Sequence, residues 1–167
     1  NLVEVLVSPA GIDAALAREA TDLACRVATA CGLHGLLAVE LFLDRGGRLW
    51  VNEIAPRPHN SGHHTIESVV TSQYEQHLRA IFDLPLGSTE VKRPAVMLNI
   101  LGARGYEGPV RYEGLTESMG LPGVKIHIYG KHKTWPFRKM GHVTVVAPTI
   151  EQAREYAMQV KQRVKVI

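Results

Sequence analysis

Two acids, Glu40 and Glu53, stand inside apolar stretches rich in β-formers, residues 36–43 and 49–54, which are joined at Arg45-Gly46-Gly47-Arg48. A Gly-Gly pair between strand-like runs predicts a two-residue hairpin loop. That loop sets Arg45 opposite Arg48 and, by equal steps back, Glu40 opposite Glu53. Directly opposed residues have Cβ atoms about 5 Å apart, where like charges repel, and apolar surroundings add a desolvation cost. A hard divalent cation between the carboxylates relieves both. Oxygen ligands without Cys or paired His point to Mg²⁺ or Mn²⁺ rather than Zn²⁺, with further ligands drawn from water and nucleotide phosphates. A four-residue loop keeps both acids on one face, because strand side chains alternate with period two. A three-residue loop sets Asn52 against Glu40 instead. The spacing alone serves equally well a half-buried hairpin whose glutamates both face water.

Directly after Glu53 comes a segment broken by Pro56 and Pro58 that carries Arg57, His59, Asn60, Ser61, His63 and His64. Prolines at this spacing exclude both regular helix and central strand. Arg57, four residues beyond Glu53, offers a forked cation for phosphate or carboxylate oxygens. Donors and cation ligands are thus expected to converge on one anion.

The surrounding elements must hold this segment in place. Leu2 to Val7 reads as a strand, ended by Ser8-Pro9-Ala10-Gly11. Residues 13–31 repeat Leu16, Ala20, Leu23, Ala24 and Val27 at helical spacing, with Gly32 at the C′ position, and predict a core-covering helix packed on the sheet. Cys25 and Cys31, six positions apart, fall on different faces and read as small buried hydrophobes rather than a disulfide. Trp50 reads as a packing residue. Ser72-x-x-Glu75 opens a helix with Tyr74, Leu78, Ile81 and Phe82 on one face and His77 turned to solvent. After a linker at 86–90, strands are predicted at 95–101, 124–129 and 142–146, with a Gly-rich irregular stretch and a short helix near Leu115–Met119 between the first two. Thr149-x-x-Gln152 caps a last helix. The class is α+β, in two parts: residues 1–87 with the anion site, and residues 88–167, a small three-stranded α+β unit. Its loop from Lys131 to His142 holds Lys131, His132, Lys133, Arg138, Lys139 and His142, either a phosphate site or a solvated turn.

Val39-Glu40-Leu41-Phe42 and Val51-Asn52-Glu53-Ile54-Ala55-Pro56-Arg57-Pro58-His59-Asn60-Ser61-Gly62-His63 resemble the metal-binding end of the ATP-grasp fold, with wording similar to the 5-(carboxyamino)imidazole ribonucleotide synthases of purine biosynthesis. The resemblance extends through residues 72–81, 84–87, 96–102 and 129–142. It implies that residues 1–87 are the C-terminal part of an ATP-grasp domain, antiparallel sheet with helices, and that the chain is a C-terminal fragment, inactive alone, of an enzyme about twice as long. It implies a carbon-nitrogen ligase that uses ATP to carboxylate 5-aminoimidazole ribonucleotide with bicarbonate. Glu40 and Glu53 would hold Mg²⁺ or Mn²⁺, with Asn52 and Glu53 at the ATP phosphates. Arg57 and His59 would be catalytic, His59 as a possible proton shuttle. Asn60, Ser61, Lys131 and Arg138 would bind substrate. A homodimer in the cytoplasm is implied. Where the family wording would read Arg-Pro-Gly-Arg-Lys, this chain has Trp135-Pro136-Phe137-Arg138-Lys139. Rival readings are another ATP-grasp carboxylate-activating ligase, such as a formate-dependent transformylase or a biotin-carboxylase relative, and a non-catalytic dimerisation or binding module.

Composition fits these expectations. With 46% apolar and 21% charged residues the chain can bury a core. A net charge of +3 without a Lys/Arg block suits a small anionic substrate and gives no nucleic-acid patch. No apolar run reaches the ~18 residues a bilayer requires.

Overall fold

The computed structural model describes residues 3–167, so Leu2 of the expected first strand lies outside the described residues. In chain order the elements are β1 (Val5–Ser8), α1 (Ala14–Ala30), β2 (Ala38–Leu43), β3 (Leu49–Ala55), α2 (Thr65–Ser68), α3 (Gln73–Ile81) and β4 (Ala95–Leu101). They continue with β5 (Gly108–Pro109), β6 (Tyr112–Glu113), α4 (Leu115–Met119), β7 (Val124–Ile128), β8 (Lys133–Thr134), β9 (Lys139–Val146), α5 (Ile150–Arg163) and β10 (Lys165–Val166). The fold is mixed α+β. Its contacts divide into two compact units: the chain up to Pro9 with residues 67–69 and 91–167, and residues 10–66 with 70–90.

The first unit is built on a four-stranded antiparallel sheet in the order β1-β4-β9-β7. The three strands predicted for this region are all present. The fourth is β1, which pairs Val5 with Leu98 and Val7 with Val96. The sheet unit therefore exceeds the expected three strands, because the apolar run of β4 offers two edges and the opening strand fills one. Val96, Leu98, Ile100, Val143 and Val145 meet Ala153, Ala157 and Val160 of α5 in the core. Thr149 caps α5 by accepting the N–H of Gln152 at 3.3 Å, as its sequence position predicts. Met97, Thr144 and His142 are likewise buried, and Glu67 pairs with His127 at 2.7 Å.

In the second unit α1 is N-capped by Asp13, which accepts from Ala15 and Leu16. Contrary to expectation it buries no residue: an apolar groove lined by Ala20, Ala24, Leu33, Leu37, Val39 and Leu41 stays open between it and β2. Cys25 and Cys31 are exposed thiols instead of buried hydrophobes: Cys25 lines the open groove and Cys31 lies at the C-cap of α1. The apolar face of α3 is open too, with Leu78 and Phe82 exposed. His77 is turned inward instead of to solvent: Gly35 presents bare backbone to its ring, and an added Cβ there would lie 3.2 Å from it.

Candidate active site

The hairpin β2–β3 places the acids, and it does so by a route the sequence did not disclose. Asp44 organises the turn: its Oδ1 accepts the N–H groups of Gly46 and Arg48, each at 2.9 Å, and its Oδ2 accepts the Trp50 indole N–H at 2.8 Å. The Gly47 N–H donates to the Asp44 carbonyl and the Asp44 N–H to Arg48, with Gly47 at φ +80°. These bonds close a three-residue loop, Arg45-Gly46-Gly47, whose last residue needs the left-handed conformation glycine adopts freely. The predicted two-residue loop is absent because Asp44 captures the turn's amides. The Asp44 carboxyl is held below the usual carboxylate range, first by the Trp50 indole, then by the Arg48 and Gly46 amides. Trp50 is half-exposed and serves this turn, with the Arg48 guanidinium 4.8 Å above its ring, rather than packing in a core.

Beyond the loop Leu43 pairs with Leu49, Phe42 with Trp50 and Leu41 with Val51. Continued regularly, this register would oppose Glu40 with Asn52. A β-bulge intervenes between Glu40 and Leu41, and Glu40 pairs with Glu53 after all. Asn52 is the extra residue, so Asn52 and Glu53 together oppose Glu40. The Asn52 amide donates to Glu40 Oε2 at 3.4 Å. Ligand atoms of Glu40, Glu53 and His59 all lie within 4.8 Å of one another. Glu53 is exposed and Glu40 half-buried, so mutual repulsion, and not the burial expected from the apolar flanks, is what a cation would relieve. Two carboxylates within this span fit a hard divalent cation, with the imidazole beside them.

His59 stands 3.5 Å from Glu40 through Nε2. Its Nδ1 meets Ser61 Oγ at 2.8 Å and the Ser61 N–H at 3.4 Å. A backbone N–H can only donate, so Nδ1 is the acceptor and the neutral ring carries its proton on Nε2, toward Glu40. Asn60 opens a 3₁₀ turn over Asn60–Gly62. Arg57 is exposed, and its Nη1 donates to the Pro58 carbonyl at 3.0 Å. His63 accepts from the Tyr74 hydroxyl or donates to it at 2.7 Å, and burial lowers the pKa of His64.

Glu40, Asn52, Glu53, His59 and Ser61 are thus brought together, with Arg57 and Asn60 on the same segment. Sequence reasoning missed Gln73. This buried side chain, 14 positions from His59, accepts the His59 N–H and donates to the His59 carbonyl, both at 2.9 Å. No spacing signal marks such a pair.

Lys131 and Arg138 belong to the sheet unit. The Lys131 ammonium donates to the Lys139 carbonyl at 2.6 Å, and its pKa is lowered, first by burial, then by the charges of Arg138 and Lys139. The Arg138 guanidinium lies 3.7 Å over the Trp135 ring and donates to the Lys133 carbonyl at 2.7 Å. Arg138 N–H bonds back to Trp135, which closes a turn with Pro136 second and Phe137 third, at φ +65°. A turn of this kind requires a positive φ at its third residue and normally takes glycine there. Phe137 holds it with Arg104 at 5.2 Å from its ring.

Residues 1–74 match the ATP-grasp domain family, and residues 95–156 match the phosphoribosylaminoimidazole carboxylase C-terminal domain family. The chain is 44% identical over 144 residues to the N5-carboxyaminoimidazole ribonucleotide synthase of Bacillus subtilis, a match that covers 86% of the chain and 36% of that protein. It is 41% identical over 153 residues to the chloroplastic phosphoribosylaminoimidazole carboxylase of Vigna aconitifolia, over 90% of the chain and 28% of that protein. The crystal structure of N5-carboxyaminoimidazole ribonucleotide synthetase from Thermotoga maritima superposes with a TM-score of 0.94 at 49% identity, over 98% of the chain and 45% of that structure. The synthase from Aspergillus clavatus, solved with ADP and the aminoimidazole ribonucleotide, gives 0.87 at 35% identity, over 97% and 44%. The chain spans about a third of the length of the curated relatives it matches.

Proposed function

From the premise that the chain belongs to the ATP-grasp family and carries a phosphoribosylaminoimidazole carboxylase C-terminal domain, we propose that it supplies part of the active site of an N5-carboxyaminoimidazole ribonucleotide synthase. In the proposed reaction a bicarbonate oxygen attacks the γ-phosphorus of ATP and ADP leaves. The exocyclic amine of 5-aminoimidazole ribonucleotide then forms a C–N bond to the carboxyl carbon, phosphate departs and the amine loses a proton. Mg²⁺ or Mn²⁺ would neutralise the phosphates when bound.

The chain's own residues would hold that cation through Glu40 and Glu53, with Asn52 turned to the same face as a phosphate contact. Phosphoryl transfer asks a protein mainly for positioning and charge neutralisation. Arg57, whose fork is free to swing from the Pro58 carbonyl, would meet the transferring group. His59, with Nδ1 fixed on Ser61, would move a proton at Nε2. Asn60 and Ser61 would line the acceptor side, and Lys131 with Arg138 would take the ribonucleotide phosphate. The homodimer and the cytoplasmic setting implied by the resemblance are proposals too, open to sedimentation and fractionation. Among the described residues no helix is long and apolar enough to cross a membrane.

The observation that carries this reading is the convergence of Glu40, Glu53 and His59 within 4.8 Å on a bulged hairpin. Its test is phosphate release from ATP by the protein at the length of its relatives, with and without bicarbonate and the aminoimidazole ribonucleotide. Release that needs both is expected, and Glu53→Gln should lower kcat by at least about 100-fold through loss of a ligand with an unchanged circular dichroism spectrum. Release indifferent to the ribonucleotide, or a near-normal Glu53→Gln, would defeat it.

A further inference from the structure

The segment carrying His59 has no strand beside it, since Pro56 and Pro58 deny it the ladder bonds of a sheet. Its backbone is nevertheless extended at His59, with φ −114° and ψ 149°. One side chain stands in for the missing strand. Gln73 accepts the His59 N–H through Oε1 and donates to the His59 carbonyl through Nε2, each at 2.9 Å. The same Nε2 lies 2.9 Å from His63 Nδ1, a second contact on this segment.

Gln73 is itself fixed. It opens α3 behind the Ser72 cap. Its N–H donates at 2.9 Å to Thr65 Oγ1, which donates at 2.6 Å to the Gly62 carbonyl. The amide fills the space where a Cβ on Gly62 would stand, 2.4 Å from Oε1. A glycine at 62 is what lets the glutamine reach His59 at all.

We propose that Gln73 is a positioning residue for His59. By gripping both polar groups of one peptide unit it sets the angle from which the imidazole, steadied on Ser61, presents Nε2 toward Glu40. It touches neither carboxylate, so its effect reaches the chemistry through His59. This rests on the proton-transfer role given to His59 above. A misplacement of about 1 Å at a reacting group can cost on the order of 100-fold in rate.

The test is a double-mutant cycle in the protein at the length of its relatives, with Gln73→Leu, His59→Ala and the pair. Each single change is expected to lower kcat about 10- to 100-fold while KM for ATP stays within about twofold, because Glu40 and Glu53 are untouched. The double variant should match His59→Ala within about twofold. Gln73→Glu, which keeps the acceptor for the His59 N–H and loses both donors, carries the same test if the leucine variant fails to fold. It should fall between wild type and His59→Ala. Multiplying losses in the double variant, or folded Gln73 variants with unchanged kcat, overturn the proposal alone. An unchanged kcat in His59→Ala overturns it together with the role given to His59.

Discussion

Lys131 has the most informative charge in the molecule. Burial, then Arg138 and Lys139, lower its pKa, so it gives up its proton below the ordinary lysine value of about 10.4. Because the folded state disfavours the charged amine, folding gains from Lys131 as pH rises through its lowered pKa, the opposite of a paired lysine. Anion binding follows the other sign. The ammonium is complete below that pKa and is lost above it, so KM for a phosphate-bearing substrate should climb as pH rises toward 10.4. Lys131→Arg should flatten the climb, since arginine stays charged. A KM profile from pH 7 to 10 on both proteins measures this. At Arg138 the Trp135 ring, 3.7 Å from the guanidinium, restrains its plane.

The hairpin shows how much of the site the sequence discloses. Glu40 and Glu53 do face each other, as alternation predicted, yet the loop holds three residues where two were expected. Nothing in the residue types of 49–54 marks Asn52 as the bulge that restores the pairing. Composition announces strands and turns, whereas a bulge depends on how side chains such as Asp44 spend their bonds. Gln73 was unreadable for a related reason: its partner is a peptide unit, and any residue has one. Cys25, Cys31 and α1 were misjudged because amphipathic spacing reports a face suited to burial and not what covers it. The Asp44 clamp yields its own expectation. Its folded pKa lies below the unfolded value near 3.9, so its contribution is present above that pH and is lost as pH falls through the lowered pKa. Asp44→Ala should therefore lower the melting temperature at pH 7, and the gap from wild type should narrow as pH falls below the unfolded carboxylate value and through the lowered pKa. Melting curves from pH 2 to 7 would check it.

At the scale of the whole chain, stability and chemistry rest on different units. The described core lies mostly in the sheet unit, on β4, β9 and α5, whereas the acids and His59 stand on a half-exposed hairpin and the loop after it. Leu98, 4% exposed, sits where β4 meets both Val5 and Val143. Leu98→Ala should cost about 2–5 kcal/mol, read as a lowered denaturant midpoint in the sheet unit's transition. The sequence suggested parts at residues 1–87 and 88–167 from a linker and a change of hydrophobic period, whereas the contacts group residues 67–69 and the chain up to Pro9 with the sheet. The membership of β1 was not legible, because strand pairing across some 90 residues leaves no local trace.

The bulge at Asn52 also decides which changes of length this hairpin can absorb. A residue lost from a strand ordinarily slips the register and turns every following side chain to the wrong face. Here the loop already runs in the register that opposes Glu40 with the second residue after Trp50. Removing Asn52 makes that residue Glu53, and Val39–Ile54 and Ala38–Ala55 keep their pairing. A deletion at position 52 thus leaves the acids facing each other while Leu49, Trp50 and Val51 keep their partners, and it removes the amide without touching the carboxylates.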